Sequence, residues 1–361
     1  MKLEQAIGGR LKKIRARIKS DGFDALLITS NENVAYTTGF SGDDSWAIIF
    51  PKEVMLITDG RYIEQAKQEC NCKIINRNKP MTEQIVAILN RRKSVKIVAT
   101  EGSIQAVILE SLKNALNAKP VATANIVANI RRYKDGYEIA CIKKAASIAE
   151  KILNSALGQL RIGITENEFA GILELQMRKA LVVPAFETIV AFGANASCPH
   201  YQPGNRRLRK KDTILIDYGV KYKGYCCDIT RCFAVGEPTK AYRNAYAATC
   251  QAQAKAIEII KEGVKMSDVD RAAREVIKAA GLPNYCHSTG HGFGLAIHEQ
   301  PNVYKSNETP LQAGDVITIE PGVYIEGKLG IRIEDDILVT KQGYKILTRS
   351  APIDDCPKIN L

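Results

Sequence analysis

The segment KDTILIDYGVKYKGYCCDITRCFAVG (residues 211–236) contains two apolar, β-branched runs joined by a polar link that includes a glycine. This pattern predicts a β-hairpin. If the turn is centred between Tyr222 and Lys223, Asp217 lies directly across the ladder from Asp228. Two carboxylates in that position repel each other unless another group compensates. The hairpin therefore predicts an antiparallel sheet that carries a pair of facing acids.

A second hairpin repeats the arrangement in GDVITIEPGVYIEGKLGIRIEDDILV (residues 314–339). With the turn centred on Gly327, Glu320 and Glu334 are equidistant from it. Arg332 precedes Glu334 by two residues and so shares its face of the strand. One acid in an apolar strand is usually a buried carboxylate satisfied by hydrogen bonds. Two hairpins that each bring a pair of acids together instead predict divalent metal, and four carboxylates need more than one ion.

The four histidines of the chain are concentrated near these hairpins. His287, His291 and His298 lie within HSTGHGFGLAIHEQP (residues 287–301), and His200 lies just ahead of the first acidic hairpin. The interspersed glycines disfavour a helix, so the first two histidines do not form a helical zinc pair. The segment also lacks the second histidine of the HExxH motif. An extended segment packed against the acidic site is the better interpretation.

The chain divides near residues 131–136, where charged residues and a glycine precede a long amphipathic helix. Apolar periodicity in the first part predicts alternating helices and strands, hence an α/β domain over residues 1–131. Its predicted helices cover 5–20, 61–69, 82–92 and 104–117, and its predicted strands cover 24–29, 45–50, 54–58 and 95–100. The second domain, residues 132–361, has predicted helices at 138–158, 165–180, 240–261 and 267–280. Strands are predicted between and after those helices.

Bulk composition indicates an ordinary globular protein of 361 residues, with 45% hydrophobic and 25% charged residues. We see no secretory signal and no apolar run of about 18 residues, so no membrane span is expected. Ten scattered cysteines without a CxxC pair are typical of reduced thiols, which favours the cytoplasm. The net charge of +12 is dispersed and lacks interleaved aromatic residues. We therefore expect a solvated basic surface rather than nucleic-acid binding.

The acids and histidines resemble a known set of metal ligands. The order Asp217, Asp228, His291, Glu320 and Glu334, with HSTGHGFG, IHEQP, EPGVY and GIRIEDDILVT around it, is similar to that of the M24-type "pita-bread" metallopeptidases. That family holds methionine aminopeptidase, aminopeptidase P (Xaa-Pro aminopeptidase) and prolidase. TSNENVAYTTGFSG and LITDGRYIEQA resemble the extra domain of the proline-specific members. The resemblance implies a creatinase-like α/β domain followed by a pita-bread catalytic domain, an antiparallel sheet with flanking helices.

The resemblance also implies a dinuclear metal site. Asp217 would bind one ion with both oxygens, Asp228 and Glu334 would bridge two ions, and His291 and Glu320 would complete the second site. A ligand set that is mostly hard oxygen suits Mn²⁺, with Co²⁺, Zn²⁺ and Fe²⁺ as alternatives. A metal-bridging hydroxide would be the nucleophile, and Glu320 would accept its proton.

Four further residues match substrate-handling positions of the family. His200 and His298 would donate to the developing oxyanion and manage the proton of the leaving amine. His287 and Arg332 would line the substrate pocket or hold the ligands from behind. The resemblance thus implies an exopeptidase that cleaves the N-terminal Xaa-Pro bond of a peptide with proline in second position, and it implies a homodimer.

Four alternative functions remain open at this point. A prolidase would cleave only the Xaa-Pro dipeptide. Methionine aminopeptidase usually lacks the first domain, and creatinase departs from the ligand set. A non-catalytic pita-bread adaptor or binding protein would typically have lost ligands, whereas all five are present here.

Overall fold

The computed structural model describes residues 1–348 and 356–361. The chain forms two compact units, Met1–Arg131 and Arg132–Leu361. Among the described residues, we find no helix whose length and apolar character would suffice to span a bilayer.

The first unit is a mixed sheet with helices. Its helices are α1 (Leu3–Ser20), α2 (Asn31–Thr38), α3 (Ile63–Glu69), α4 (Met81–Asn90), α5 (Ala106–Ala115) and α6 (Ile126–Arg131). Its strands are β1 (Ala25–Ile28), β2 (Trp46–Ile49), β3 (Val54–Thr58), β4 (Lys73–Asn76), β5 (Ile97–Glu101) and β6 (Lys119–Thr123). The sheet order is β4-β3-β2-β1-β5-β6, with β1 parallel to β5 and antiparallel to β2.

Most elements of the first unit follow the apolar periodicity, but four do not. The predicted helices and strands are all present, whereas α2, α6, β4 and β6 are not among the predicted elements. The end of α2 is defined by Gly39, which adopts a left-handed conformation (φ 83°) and donates its backbone N–H to the carbonyl of Ala35 at 2.9 Å. Glycine adopts that conformation without a steric penalty, so it ends the helix there.

The second unit contains the two acidic hairpins. Its helices are α7 (Gly136–Leu157), α8 (Glu166–Lys179), α9 (Lys240–Glu258) and α10 (Met266–Ala279), with a short 3-10 helix at Gly193–Ser197. Its first strands are β7 (Val183–Pro184), β8 (Ile189–Phe192), β9 (Thr213–Tyr218), β10 (Val220–Tyr222), β11 (Tyr225–Cys226) and β12 (Ile229–Val235). The later strands are β13 (Gly290–Gly292), β14 (Glu299–Val303), β15 (Val316–Ile319), β16 (Gly322–Ile325), β17 (Leu329–Arg332), β18 (Asp335–Val339), β19 (Tyr344–Ile346) and β20 (Lys358–Ile359).

The sheets of the second unit are mostly antiparallel, and the helices cover them. The sheet orders are β20-β12-β9-β8, β14-β13-β15-β18-β19, β11-β10-β7 and β16-β17. Ile214 and Ile216 of β9 pack with α7 and α8, whereas Leu215 packs on the opposite side with α9 and α10. Because side chains alternate along a strand, Asp217 also faces that opposite side. The Asp217 side chain therefore points toward the sheet that contains β15 and β18.

The helix pair α7–α8 and the helix pair α9–α10 are built alike. Helices α8 and α10 each have 14 residues and begin 100 positions apart. Gly163 and Gly263 precede them, both with φ of 89°. Helix α7 begins at a capping box in which Asp135 accepts hydrogen bonds from the backbone N–H groups of Tyr137 and Glu138. Each pair therefore covers its own part of the sheets. The first acidic hairpin lies between the two pairs in sequence, and the second follows α10.

Candidate metal centre

The first hairpin differs from its predicted register. Asp217 pairs with Thr230 rather than with Asp228. The turn residues are Lys223 and Gly224, which both have positive φ (50° and 82°). Two-residue hairpin turns of this kind match the twist of the strands, and they place the turn centre half-way between these residues. The centre thus lies one residue later than predicted, and every pairing shifts by two.

Asp228 and Glu334 both lie where their strands are interrupted. Asp228 falls between β11 and β12, and its backbone N–H donates to Asp336 Oδ2 at 3.2 Å. Glu334 falls between β17 and β18, and its backbone N–H donates to the Thr230 carbonyl at 3.3 Å. Thr230 Oγ1 in turn donates to Glu334 Oε2 at 2.6 Å. The two interruptions free both acids from ladder pairing, and Thr230 links the two hairpins.

The second hairpin has the predicted register. Ile319 pairs with Asp335, and Gly322 pairs with Arg332. Both pairs are symmetric about Gly327, which has φ of 64°. The expectation that Glu320 and Glu334 are equidistant from this turn is therefore confirmed.

The histidine-rich segment is extended, as its glycines predict. Strand β13 lies between β14 and β15, and it carries His291 at a shift of register. A Cβ on Gly290 would lie 1.9 Å from the Thr318 carbonyl oxygen, and one on Gly292 would lie 2.5 Å from the Gln300 carbonyl oxygen. Only glycine permits such close strand packing. These two positions bring the imidazole of His291 up to the acids.

The structure brings the predicted ligands together. One ligand atom each from Asp228, His291 and Glu334 lies within 4.8 Å of the others. His291 Nε2 lies 3.6 Å from Asp228 Oδ2 and 3.5 Å from Glu320 Oε1. Asp217 lines the same cavity of about 760 Å³ as these four residues. All five predicted ligands therefore belong to one site.

The electrostatics of this site favour a cation. Asp217 Oδ1, Asp228 Oδ1 and Glu334 Oε1 are buried and have no hydrogen-bond partner within residues 1–348 and 356–361. Burial raises the pKa of Glu320 to about 7, and burial together with the neighbouring acids raises the pKa of Asp228 and Glu334 well above the usual range. Buried carboxylates without partners are costly, and a bound divalent cation offsets that cost. The residues present thus fit a metal site.

His287 and His291 are both neutral near pH 7, because burial lowers the pKa of each to about 4. The Nδ1 atom of His291 lies 3.2 Å from the Gly292 carbonyl, so an Nδ1–H donor leaves the Nε2 lone pair free for a metal. His287 Nδ1 lies 2.8 Å from the Ser288 carbonyl, and its Nε2 lies 3.0 Å from the Tyr324 hydroxyl. Hydrogen bonds therefore orient both rings.

Arg332 holds one side of the site. Its guanidinium contacts the Asp217 carboxylate and donates to the Tyr324 hydroxyl at 2.8 Å and to the Pro199 carbonyl at 3.0 Å. Thr230 accepts a further bond from Arg332 Nε at 3.3 Å. Sequence reasoning missed Tyr324 and Thr230. Thr230 lies two residues after Asp228 in a run whose sequence predicts a strand, so the period of two could have identified it.

His200 and His298 also line the cavity. The His298 ring lies 4.5 Å from the His291 ring, centroid to centroid, at 75°. Burial lowers the pKa of His298. The four histidines and Arg332 thus line the cavity that the acids line, although they come from distant parts of the chain.

Comparisons with known proteins show which family the chain resembles over nearly its whole length. The sequence model of metallopeptidase family M24 matches residues 140–341, and that of the creatinase/prolidase N-terminal domain matches residues 10–133. The chain is 36% identical over 345 residues to an Xaa-Pro dipeptidase of Pyrococcus horikoshii, covering 94% of this chain and 97% of that protein.

Two solved structures are similar over nearly the whole chain. An Xaa-Pro dipeptidase from Bacillus anthracis has a TM-score of 0.92 at 31% identity, covering 98% of this chain and 100% of that one. An X-Pro aminopeptidase from Thermotoga maritima has a TM-score of 0.88 at 35% identity, covering 95% and 100%.

Proposed function

Since the chain belongs to metallopeptidase family M24 and carries a creatinase/prolidase N-terminal domain, we propose that it is an Xaa-Pro exopeptidase with two divalent metal ions. The predicted family and fold class are confirmed. One observation carries the proposal: five predicted ligand side chains line one cavity, and three of their buried carboxylate oxygens lack a hydrogen-bond partner among the described residues.

We assign the ligands as the resemblance implies. Asp217 would hold one ion, Asp228 and Glu334 would bridge two, and His291 and Glu320 would complete the second site. The hard oxygen set favours Mn²⁺, with Co²⁺, Zn²⁺ or Fe²⁺ as alternatives. When bound, such ions supply a water that ionises near neutral pH and polarise the scissile carbonyl.

The protein's own side chains would manage protons and charge. Glu320, whose Oε1 accepts a hydrogen bond from Thr318 Oγ1 at 3.2 Å, would take the proton of the attacking water. His298 and His200 would donate to the developing oxyanion and to the leaving amine. His287 and Arg332 would bind substrate or keep the ligands in place. Arg332 contacts the Asp217 carboxylate, which supports the second of these roles.

The bond before proline has no N–H for an enzyme to recognise. Recognition must then rest on the carbonyl and on the shape of the ring. The cavity wall includes three apolar side chains, Phe186, Ile189 and Ile297. They support the proposal that the proline ring packs against this wall.

We further propose the aminopeptidase form of this activity. Among the described residues that line the cavity, Arg332 is the only lysine or arginine, and it already contacts Asp217. In an Xaa-Pro dipeptide the proline carries the C-terminal carboxylate, which the acids of this site would repel. In a longer peptide the proline carbonyl belongs to a neutral amide. The alternative is the dipeptidase, which the printed names of the relatives from Pyrococcus horikoshii and Bacillus anthracis favour.

The test uses the full chain loaded with Mn²⁺. We would measure metal content and the hydrolysis of an Xaa-Pro dipeptide, an Xaa-Pro-Xaa tripeptide and a matched Xaa-Ala-Xaa control. Cleavage of the proline tripeptide is expected. Cleavage of the dipeptide alone would establish the alternative, and neither metal nor hydrolysis would favour a non-catalytic binding protein.

We also propose a cytoplasmic homodimer. All ten cysteines are free thiols, which supports a reducing compartment. The homodimer rests on the family alone, and light scattering of the purified chain would test it.

A further inference from the structure

A buried ion pair lies next to His298. The Lys134 ammonium donates to Glu299 Oε2 at 3.2 Å, and the two side chains are 0% and 9% exposed. Glu299 directly follows His298 in the chain and is the first residue of β14. Neither member of the pair lines the cavity. The pair therefore sits behind the site rather than in it.

The pair anchors the short loop that carries His298, residues 293–298. Glu299 Oε1 accepts the backbone N–H of Ala296 at 2.9 Å, so one carboxylate joins the loop to the lysine. The backbone N–H of Gly294 donates to the Ala296 carbonyl at 2.9 Å, which closes a tight turn. The other end of the lysine is fixed as well, because the Lys134 backbone N–H donates to the Gly314 carbonyl at 2.9 Å.

Gly294 leaves space for this arrangement. A Cβ at Gly294 would lie 3.1 Å from Lys134 Cε, and 3.1 and 3.2 Å from the two carboxylate oxygens of Glu299. Such contacts are tighter than most real Cβ contacts, so a larger residue would push the pair apart. Glycine here lets a lysine and a glutamate meet beneath the loop.

Buried ion pairs seldom stabilise a protein more than well-packed apolar side chains would, so their use points to a need for fixed geometry. The segment fixed here carries His298, whose ring lies 4.5 Å from the His291 ring. We propose that Lys134 and Glu299 are positioning residues for His298. The inference rests on the proposed role of His298 in handling the oxyanion or the leaving amine.

The decisive test is a double-mutant cycle in the metal-loaded full chain. Lys134→Met removes the charge but keeps a long apolar side chain. We expect kcat on the Xaa-Pro-Xaa peptide to fall about tenfold or more, with KM and metal content close to wild type. In a His298→Ala background, the same change should alter kcat by less than about twofold, because the group that it positions is gone.

The matched control is Arg132→Met. Arg132 lies two residues before Lys134 and forms a partly buried ion pair with Asp315, both contacts at 2.8 Å. Arg132→Met should lower the stability of the protein. It should change kcat by the same factor in the wild-type and the His298→Ala backgrounds. If Lys134→Met fails to fold, Glu299→Gln takes its place, since the amide keeps an acceptor for Ala296. Equal loss of kcat by the pair variant in both backgrounds, or no loss in the wild-type background, would overturn the inference.

A readout without turnover separates this inference from the proposed function. The chain has only four histidines, so their imidazole NMR signals can be assigned individually. Lys134→Met should shift or broaden the signal of His298 and leave that of His200 unchanged. An unchanged His298 signal overturns the positioning role even if the wild type hydrolyses proline peptides. A wild type that hydrolyses no peptide overturns the proposed function alone.

Discussion

Replacing Glu334 by glutamine should stabilise the metal-free protein, although the residue belongs to the proposed metal site. Glu334 is 1% exposed, and its Oε2 accepts a bond from Thr230, whereas its Oε1 has no partner in the part of the chain that the structure describes. Burial and the charges of Glu320 and Asp217 raise its pKa well above the usual range. An ionised Glu334 therefore destabilises the fold at neutral pH when no cation is present. An amide removes that charge and offers an N–H donor to the neighbouring carboxylates.

The magnitude follows from the unpartnered oxygen. A buried acceptor without a partner costs about 1–3 kcal/mol. For a unit of this size, about 1 kcal/mol corresponds to about 2–4 °C in Tm. A gain of about 2 kcal/mol would thus raise the Tm of the metal-free variant by about 4–8 °C. Metal at about one hundred times its Kd stabilises the wild type by about 2.7 kcal/mol per site, and the variant gains less because it lacks a ligand.

The assay is thermal unfolding of the full chain at pH 8, after chelation and again after addition of Mn²⁺. Glu326→Gln is the matched control, because Glu326 is exposed on the turn of the same hairpin. We expect Glu334→Gln to unfold above the wild type without metal and below it with metal. A metal-free variant that is no more stable than the metal-free wild type would refute the argument, and so would a variant that metal stabilises as much as the wild type.

Three further predictions concern turnover, packing and pH. His298→Ala should keep its metal, as metal analysis would show, and its kcat in steady-state kinetics should fall about a hundredfold or more. An unchanged kcat would show that His298 takes no part in the reaction. Gly290→Ala should lower both Tm and metal content, because its methyl group would lie 1.9 Å from the Thr318 carbonyl oxygen; a wild-type Tm would contradict the packing described. Burial raises the pKa of Glu320 from 4.5 to about 7, so between these pH values the unfolded chain releases a proton that the metal-free folded chain retains. Stability of the metal-free protein should then fall by about 3 kcal/mol as pH rises through that window, and Glu320→Gln should flatten the fall.

Much of the candidate site could be predicted from local pattern. Alternating apolar residues identify both hairpins, and the symmetry about Gly327 correctly places Glu320 and Glu334 at equal distances from the turn. The predicted turn centre of the first hairpin is one residue too early, because the turn depends on a positive φ at Lys223. Lysine rarely adopts that conformation, so the sequence carries no signal for it.

The order of acids and histidines along the chain, and the glycines that exclude a helix around His291, are properties of the sequence alone. They were enough to indicate the metal chemistry, because ligand types and strand periodicity are local. Tertiary structure alone decided which partners surround those ligands. Arg332 meets Asp217 across 115 positions, and Lys134 meets Glu299 across 165. Such contacts form only when distant strands and loops pack together, and no local periodicity encodes them.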